Sequence, residues 1–359
     1  MSRQLVVAIP ARNEAECLPL CLEGLAGQRD APPFGVVVFA NNCDDSTVPD
    51  ARAMAGRLPY PLLVVDISLP EPQRTAGHAR RGAMDLAAEH AGDGILLSTD
   101  ADARPRPDWL ANVTRHVGAG ADAVAGRAIM IGAEAQTLSG PLRARLRREA
   151  WLARLMDRIA AAIDEVPWDP WPRHCGHWGA NFAVRAQTYR ACGGVPQVPL
   201  AEDRAFFALL ESHDARIRHA EDCIVEVSAR VQGRAPGGMA DVLARRMAGD
   251  DPLCDAALEP LGHALRRYRL RRALRAGGDF ANPRNALRLG LDEAALHDAV
   301  TGATAGEGWA RLLREAPALR EVRLPHDRLE RQIAAALAVL RRLCPGEPPP
   351  EPAAEETLV

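Results

Sequence analysis

Lysine is missing from this 359-residue chain, and all 44 of its basic side chains are arginine. GC-rich coding explains that without invoking function, yet any anion site must then be built from guanidinium groups, which suit diphosphate. Long apolar runs are missing too: no stretch approaches the ~20 residues that a membrane span needs. The opening Met1-Ser2-Arg3-Gln4 leads into a strand-like segment that is too short and poorly flanked for a signal peptide. A soluble cytoplasmic protein is expected, at most peripheral at the inner membrane face. The cysteines Cys17, Cys21, Cys43, Cys175, Cys192, Cys223, Cys254 and Cys344 contain no C-x-x-C pair, which argues against a zinc knuckle or dithiol redox site. Reduced cytosolic thiols fit that scatter. An excess of positive charge is lacking as well, and a formal net charge of −3 speaks against broad nucleic-acid binding.

What is present is ordinary for a globular protein, with 47% hydrophobic and 25% charged residues. Short apolar runs at Leu5–Ile9, Val36–Phe39, Leu62–Val65 and Ile95–Ser98 read as buried strands. Helical patterns alternate with them: a first helix carries Cys17, Leu18, Cys21, Leu22 and Leu25 on its apolar face, and an Ala-rich one covers 76–90. Such alternation predicts an α/β fold with a mainly parallel sheet, in which every polar turn after a strand lies on one edge. Further on, 108–118 and 139–163 read as helices, 122–131 as strand, and 202–212 as a helix between strands at Phe182–Val184 and Cys223–Val227. Residues 236–344 are Ala/Leu/Arg-rich and read as mostly helical, and the Pro/Glu-rich tail 345–359 as disordered.

The chemistry concentrates at that predicted edge. Asp100 and Asp102 follow the fourth strand at i and i+2, where open α/β sheets bind ligands. Two carboxylates so placed can hold a hard divalent cation that also grips a phosphate; a plain surface turn is the alternative. Pro10, Arg12, Asn13 and Glu14 follow the first strand, where Asn13 and Glu14 can equally cap a helix. The run Asn41 to Thr47 follows the second, either contacting a base or ribose or forming an Asx-rich turn. Glu202 and Asp203 open a helix whose dipole favours ionised carboxylates, as caps or as a general base.

These segments, in this order from Val6 to about Phe207, resemble the family 2 glycosyltransferases, inverting sugar transferases of the GT-A fold. Ile9-Pro10-Ala11-Arg12-Asn13-Glu14 resembles the family's first nucleotide-binding loop. Asn41 through Thr47 resembles its second, although Asn41 and Asn42 stand where many members carry an acidic pair, leaving Asp44 and Asp45 downstream. Gly77-His78-Ala79-Arg80-Arg81-Gly82 resembles the segment packed under the nucleotide, and Thr99-Asp100-Ala101-Asp102 matches the family's D-x-D. Gly179 to Arg185, Gly193-Gly194 and Glu202-Asp203 follow the acceptor-side order. The resemblance implies Mg²⁺ or Mn²⁺ at Asp100 and Asp102, and a nucleotide sugar, by default a UDP-sugar, against Pro10, Arg12, Glu14, Asn41, Asn42, Asp45, Arg80 and Asp100. It further implies Asp203 as the base acting on a hydroxyl acceptor, whether sugar, lipid-linked or small molecule. The expected division is a glycosyltransferase domain over 1–235, with a nucleotide half at 1–118 and an acceptor half at 119–235, then the helical region.

The processive members' Q-x-x-R-W motif and membrane spans are missing, which favours single transfer. Arg230 or Arg234 can reach the leaving diphosphate or sit in a solvated loop. Trp168, Trp171 and Trp178, with His174 and His177, suit a sugar or apolar acceptor, or else pack a hinge. His177 is also a candidate third metal ligand. The basic run Arg266, Arg267, Arg269, Arg271, Arg272 and Arg275 can touch anionic lipid or form a solvated face. Two rival functions are a sugar-phosphate nucleotidyltransferase and a catalytically silent nucleotide-sugar-binding scaffold. The first would want glycine in the turn after the first strand, and Pro10 to Glu14 has none; the second would be expected to lose Asp102 or Asp203. The absence of G-x-G-x-x-G from that turn also disfavours a dinucleotide oxidoreductase.

Overall fold

A computed structural model describes residues 5–233, 237–249 and 251–352. The strands are β1 (Leu5–Ala11), β2 (Phe34–Asn41), β3 (Leu62–Ile67), β4 (Ile95–Ser98), β5 (Arg104–Pro105), β6 (Ala123–Met130), β7 (Phe182–Arg185) and β8 (Ile217–Val227). Between them lie α1 (Leu18–Ala26), α2 (Thr47–Met54), α3 (Ala76–Ala91), α4 (Trp109–Gly118), α5 (Gly132–Ala135), α6 (Gly140–Ile163), α7 (Ala186–Ala191) and α8 (Glu202–Ser212). A helical region completes the chain: α9 (Met239–Met247), α10 (Leu261–Arg275), α11 (Pro283–Leu289), α12 (Glu293–Val300), α13 (Ala305–Glu315) and α14 (Leu329–Leu343). Among the described residues no helix is long and apolar enough to cross a membrane.

The strands form one sheet in the order β3-β2-β1-β4-β7-β6-β8-β5. β1 is buried along nearly its whole length and pairs in parallel with both β2 and β4, so it needs apolar side chains on both faces. β7 runs antiparallel to β4 and β6, and β5 antiparallel to β8; the other six strands share one direction, as expected of a mainly parallel sheet. The reversal matters for function. Ser98, the last residue of β4, faces Phe182, the first of β7. The chain entering β7 therefore stands beside the chain leaving β4, and Gly179 comes to the same edge as Asp100. β8 runs parallel to β6, so its exit at Val227 brings Arg230 to that edge as well.

Apolar cores cover both faces. On one side α1 and α4 bury Leu18, Leu22, Trp109 and Val113 in one core with β1, β2, β6 and β8; on the other α3 and α8 bury Ala83, Met84, Phe206 and Phe207. A separate core joins α6, α10 and α14 through Leu155, Ile159, Ala264 and Ile333. The first helix begins at Leu18 with no side-chain cap, and Asn13 lies in the left-handed region (φ 55°), so Asn13 and Glu14 do not cap it. β8 begins at Ile217, six residues earlier than the apolar pattern predicts, because polar Arg218, His219 and Glu221 occupy the added stretch. The tail is also placed differently from the expectation of disorder: Trp151 donates through Nε1 to the carbonyl of Pro350 (2.9 Å), and Arg158 meets Glu347 (2.7 Å). Residues 353–359 of that tail, like Met1 to Gln4 and Arg234, lie outside the described residues.

Candidate active site

The site centres on Arg80 in α3. Its guanidinium is buried and donates through Nε to Glu202 Oε1 (2.9 Å), through Nη1 to Ser98 Oγ (2.9 Å) and the Gly179 carbonyl (2.8 Å), and through Nη2 to Asp100 Oδ1 (2.9 Å). Burial alone would weaken its hold on the proton, but the carboxylates of Asp100 and Glu202 more than offset that, so it stays charged. One planar fork thereby joins the residue after β4, the approach to β7 and the start of α8.

Asp203 sits at the far side of this network. Its Oδ2 accepts from the Gly179 amide (2.8 Å) and Oδ1 from the Arg204 amide (2.7 Å). Burial and then the neighbouring Glu202 charge lift its affinity for a proton above that of an ordinary aspartate, against the pull of Arg80 and the two amides. Glu202 itself goes the other way: burial disfavours its charge, but contact with Arg80 prevails and holds it below the usual carboxylate range. Two adjacent carboxylates are thus set apart, one as a structural counter-ion and the other as the better base.

Asp102 meets Arg230 (Nη2 to Oδ2, 3.0 Å), and the same guanidinium forks onto Glu14 (Nη2 to Oε1, 2.8 Å; Nη1 to Oε2, 3.1 Å). Burial, then the Asp100 charge, push the Asp102 carboxyl up to about 6 despite Arg230. Asp100 and Asp102 each leave one carboxylate oxygen outside these ion pairs. Hard oxygen donors in a cluster crowded with negative charge suit a divalent cation, so the residues present fit Mg²⁺ or Mn²⁺.

The loops after β1 and β2 lock onto each other. Thr47 Oγ1 accepts from the Glu14 amide (2.7 Å), Asp45 Oδ2 from the Ala15 amide (3.2 Å), and Asp44 Oδ1 from Asn13 Nδ2 (2.5 Å). Burial slightly disfavours the Asp45 charge, but hydrogen bonds from Thr47 and Ala15 prevail and hold its carboxyl below the ordinary value. Asn42, in the left-handed region, spends its amide on the backbone N–H and carbonyl of Leu69 (both 3.1 Å), so it staples the chain after β3. Asn41 ends β2 and is buried, whereas Pro10 and Arg12 are half-buried. Of the residues expected against a nucleotide, Asp45 and Asn42 are therefore committed to the loop scaffold.

Other candidates separate further. His177 stacks on Phe207 (ring centroids 4.2 Å apart), and its Nε2 lies 3.1 Å from Nε2 of His219, whose Nδ1 meets Asp169 (2.8 Å). Trp171 lies under Arg154 and Arg158 (4.6 and 5.3 Å), a packing role, while Trp168 is exposed. In α10, Arg271 pairs with Glu211 (2.9 Å) and Arg275 with Asp164, so the basic run is partly spent on protein carboxylates. Sequence reasoning missed the partnership of Arg80 with Glu202, 122 positions apart, and of Arg230 with Glu14, 216 apart. No local pattern signals either.

Gly179 has no room for a side chain, because a Cβ there would stand 2.5 Å from Arg80 Nη2. Gly179→Ala is expected to push the guanidinium off Asp100 and Glu202, lowering thermal stability by about 1–3 kcal/mol and turnover with it. Thermal unfolding of this variant beside Gly140→Ala, where nothing lies near the added methyl and the backbone is not in the left-handed region, gives the comparison.

Residues 6–171 match the model of glycosyl transferase family 2. Among solved structures, the chain is similar to mannosyltransferase PcManGT from Pyrobaculum calidifontis in complex with GDP-Man and Mn²⁺, at 20% identity over 96% of this chain and 88% of that one (TM-score 0.46). It is similar to S. aureus TarS 1-349 at 17% identity, covering 95% and 90% of the two chains (TM-score 0.46). Glucosyl-3-phosphoglycerate synthase from Mycobacterium tuberculosis is matched at 17% identity over 70% of this chain and 82% of its own (TM-score 0.41). No curated protein matches significantly. The family match ends before Gly179, Asp203 and Arg230, so it covers Asp100 and Asp102 but not those three residues.

Proposed function

We propose that this chain, whose residues 6–171 match the model of glycosyl transferase family 2, is a glycosyltransferase that moves one sugar from a nucleotide-sugar donor to a hydroxyl, with inversion at the anomeric carbon. The observation that carries this reading is the hydrogen-bonded path from Asp100 through Arg80 and Gly179 to Asp203. It holds a base on one side of the site at a fixed separation from the donor carboxylates on the other. Asp203 takes the proton of the acceptor hydroxyl as that oxygen attacks. Asp100 and Asp102 would hold Mg²⁺ or Mn²⁺, which when bound neutralises charge developing on the departing diphosphate. The first two loops receive the nucleotide at Pro10, Arg12 and Asn41, over a scaffold fixed by Glu14, Asn42 and Asp45.

On this reading residues 1–118 serve the donor and 119–235 the acceptor, and a UDP-sugar is the default donor. Free thiols at all eight cysteines fit a reducing, cytoplasmic setting. A nucleotidyltransferase is disfavoured by the glycine-free turn after β1, and a silent scaffold by the intact Asp102 and Asp203. The expected result is slow, Mn²⁺-stimulated release of nucleoside diphosphate from one of a UDP-, GDP- and dTDP-sugar panel, with water as acceptor. A chain that releases none from any donor, with or without metal, is not this enzyme.

A further inference from the structure

Two guanidinium groups face the Asp100/Asp102 pair, and they are held very differently. Arg80 is 7% exposed and tied to four partners spread over three elements, so it cannot leave Asp100 without dismantling the network. Arg230 is 28% exposed, and the partners of its guanidinium are carboxylates of the site itself, Glu14 and Asp102. Its backbone is nonetheless fixed: Glu134 at the start of α5 accepts from Ser228 Oγ (2.7 Å) and from the Ala229 amide (2.9 Å), and Ser228 Oγ accepts from the Arg230 amide (3.3 Å). The main chain is thus clamped by the protein, while the guanidinium is held by carboxylates of the site.

That side chain stands beside the place where a divalent cation would bind. A cation on the Asp102 oxygen that Nη2 holds at 3.0 Å would, at ~2.0–2.6 Å, touch the guanidinium, and one on the other oxygen would share its carboxylate with that positive charge. We propose that Arg230 is a resident counter-ion of Asp102 with which a divalent cation competes, so that this site resists the bare ion and accepts it together with a nucleoside diphosphate. The inference rests on the glycosyltransferase reading and adds an order of assembly to it. A diphosphate supplies what the displaced guanidinium loses, because Arg recognises paired phosphate oxygens as it does a carboxylate. By linkage the nucleotide must raise metal affinity by the same factor that the metal raises nucleotide affinity.

The test is Mn²⁺ binding, followed by the paramagnetic resonance of free Mn²⁺, with and without UDP or GDP. Wild-type protein should bind Mn²⁺ weakly alone and at least on the order of tenfold more tightly with the nucleotide. Arg230→Gln should bind Mn²⁺ alone on the order of tenfold more tightly than wild type and lose most of the nucleotide's effect. Its melting temperature should also rise with Mn²⁺ alone, which reports on a folded protein. Arg230→Lys keeps the charge and should still resist bare Mn²⁺ as wild type does. Wild-type binding of Mn²⁺ and nucleotide with no coupling, or an Arg230→Gln that binds bare Mn²⁺ no better, overturns the exchange while leaving the glycosyltransferase reading standing. Wild-type protein that binds neither Mn²⁺ nor UDP nor GDP, singly or together, overturns both.

Discussion

Asp203→Asn is expected to lower kcat by ~10²–10⁴ while leaving donor binding intact. The substitution is nearly isosteric: the amide oxygen can still accept from Gly179, so the approach to β7 keeps its place, while the Arg204 amide at the start of α8 loses its acceptor. What disappears is the negative charge that takes the hydroxyl proton. The change also removes a like charge beside Glu202, which offsets part of the lost hydrogen bond, so the melting temperature should fall only slightly. A merely structural Asp203 predicts the reverse pattern, with a large fall in melting temperature and unchanged turnover. Release of nucleoside diphosphate, measured alongside calorimetric donor affinity, separates the two.

Asp102→Ala should abolish metal-dependent donor binding itself, an effect on affinity rather than on kcat alone. Asp102 is largely buried and leaves one oxygen outside its contact with Arg230, and Asp100 is already bound through one oxygen to Arg80. Losing Asp102 leaves a single partly committed carboxylate, too few hard ligands for a divalent ion that prefers several. The fold should survive, since Arg230 keeps both hydrogen bonds to Glu14 and the Arg80 network does not pass through Asp102. The loss therefore reads as a missing Mn²⁺-dependent rise in melting temperature on a protein that unfolds normally without ligand.

The half of the sheet from β1 to β4 was legible because its signals are local. Apolar runs bounded by polar turns marked β1 to β4, and the fixed hand of crossover connections put Glu14, Asn41 and Asp100 on one edge. The i, i+2 spacing of Asp100 and Asp102 was visible in four residues. Strand direction was not: nothing in Phe182-Ala183-Val184 says that β7 runs against β4, yet that reversal brings Gly179 and Asp203 to the donor edge. Helix α2 was hidden because Asn41 to Thr47 reads as turn, and the same Asp45 and Thr47 prove to lock that turn to the Glu14 loop. The roles of Arg80 and Arg230 rest on partners more than a hundred residues away, beyond any spacing rule. For the tail, Pro and Glu suggest disorder by composition, whereas among its described residues Pro350 and Glu347 meet Trp151 and Arg158 of α6.

The most direct test is a thermal-shift series on wild type and Asp102→Ala with UDP-, GDP- and dTDP-sugars, each with and without Mn²⁺. A ligand bound only by the folded state raises its melting temperature by mass action. One donor should stabilise the wild type in the presence of Mn²⁺, and the same donor with Mn²⁺ should leave Asp102→Ala unmoved. No shift with any donor, or an equal shift in the two proteins, contradicts a metal-held nucleotide sugar at Asp100 and Asp102.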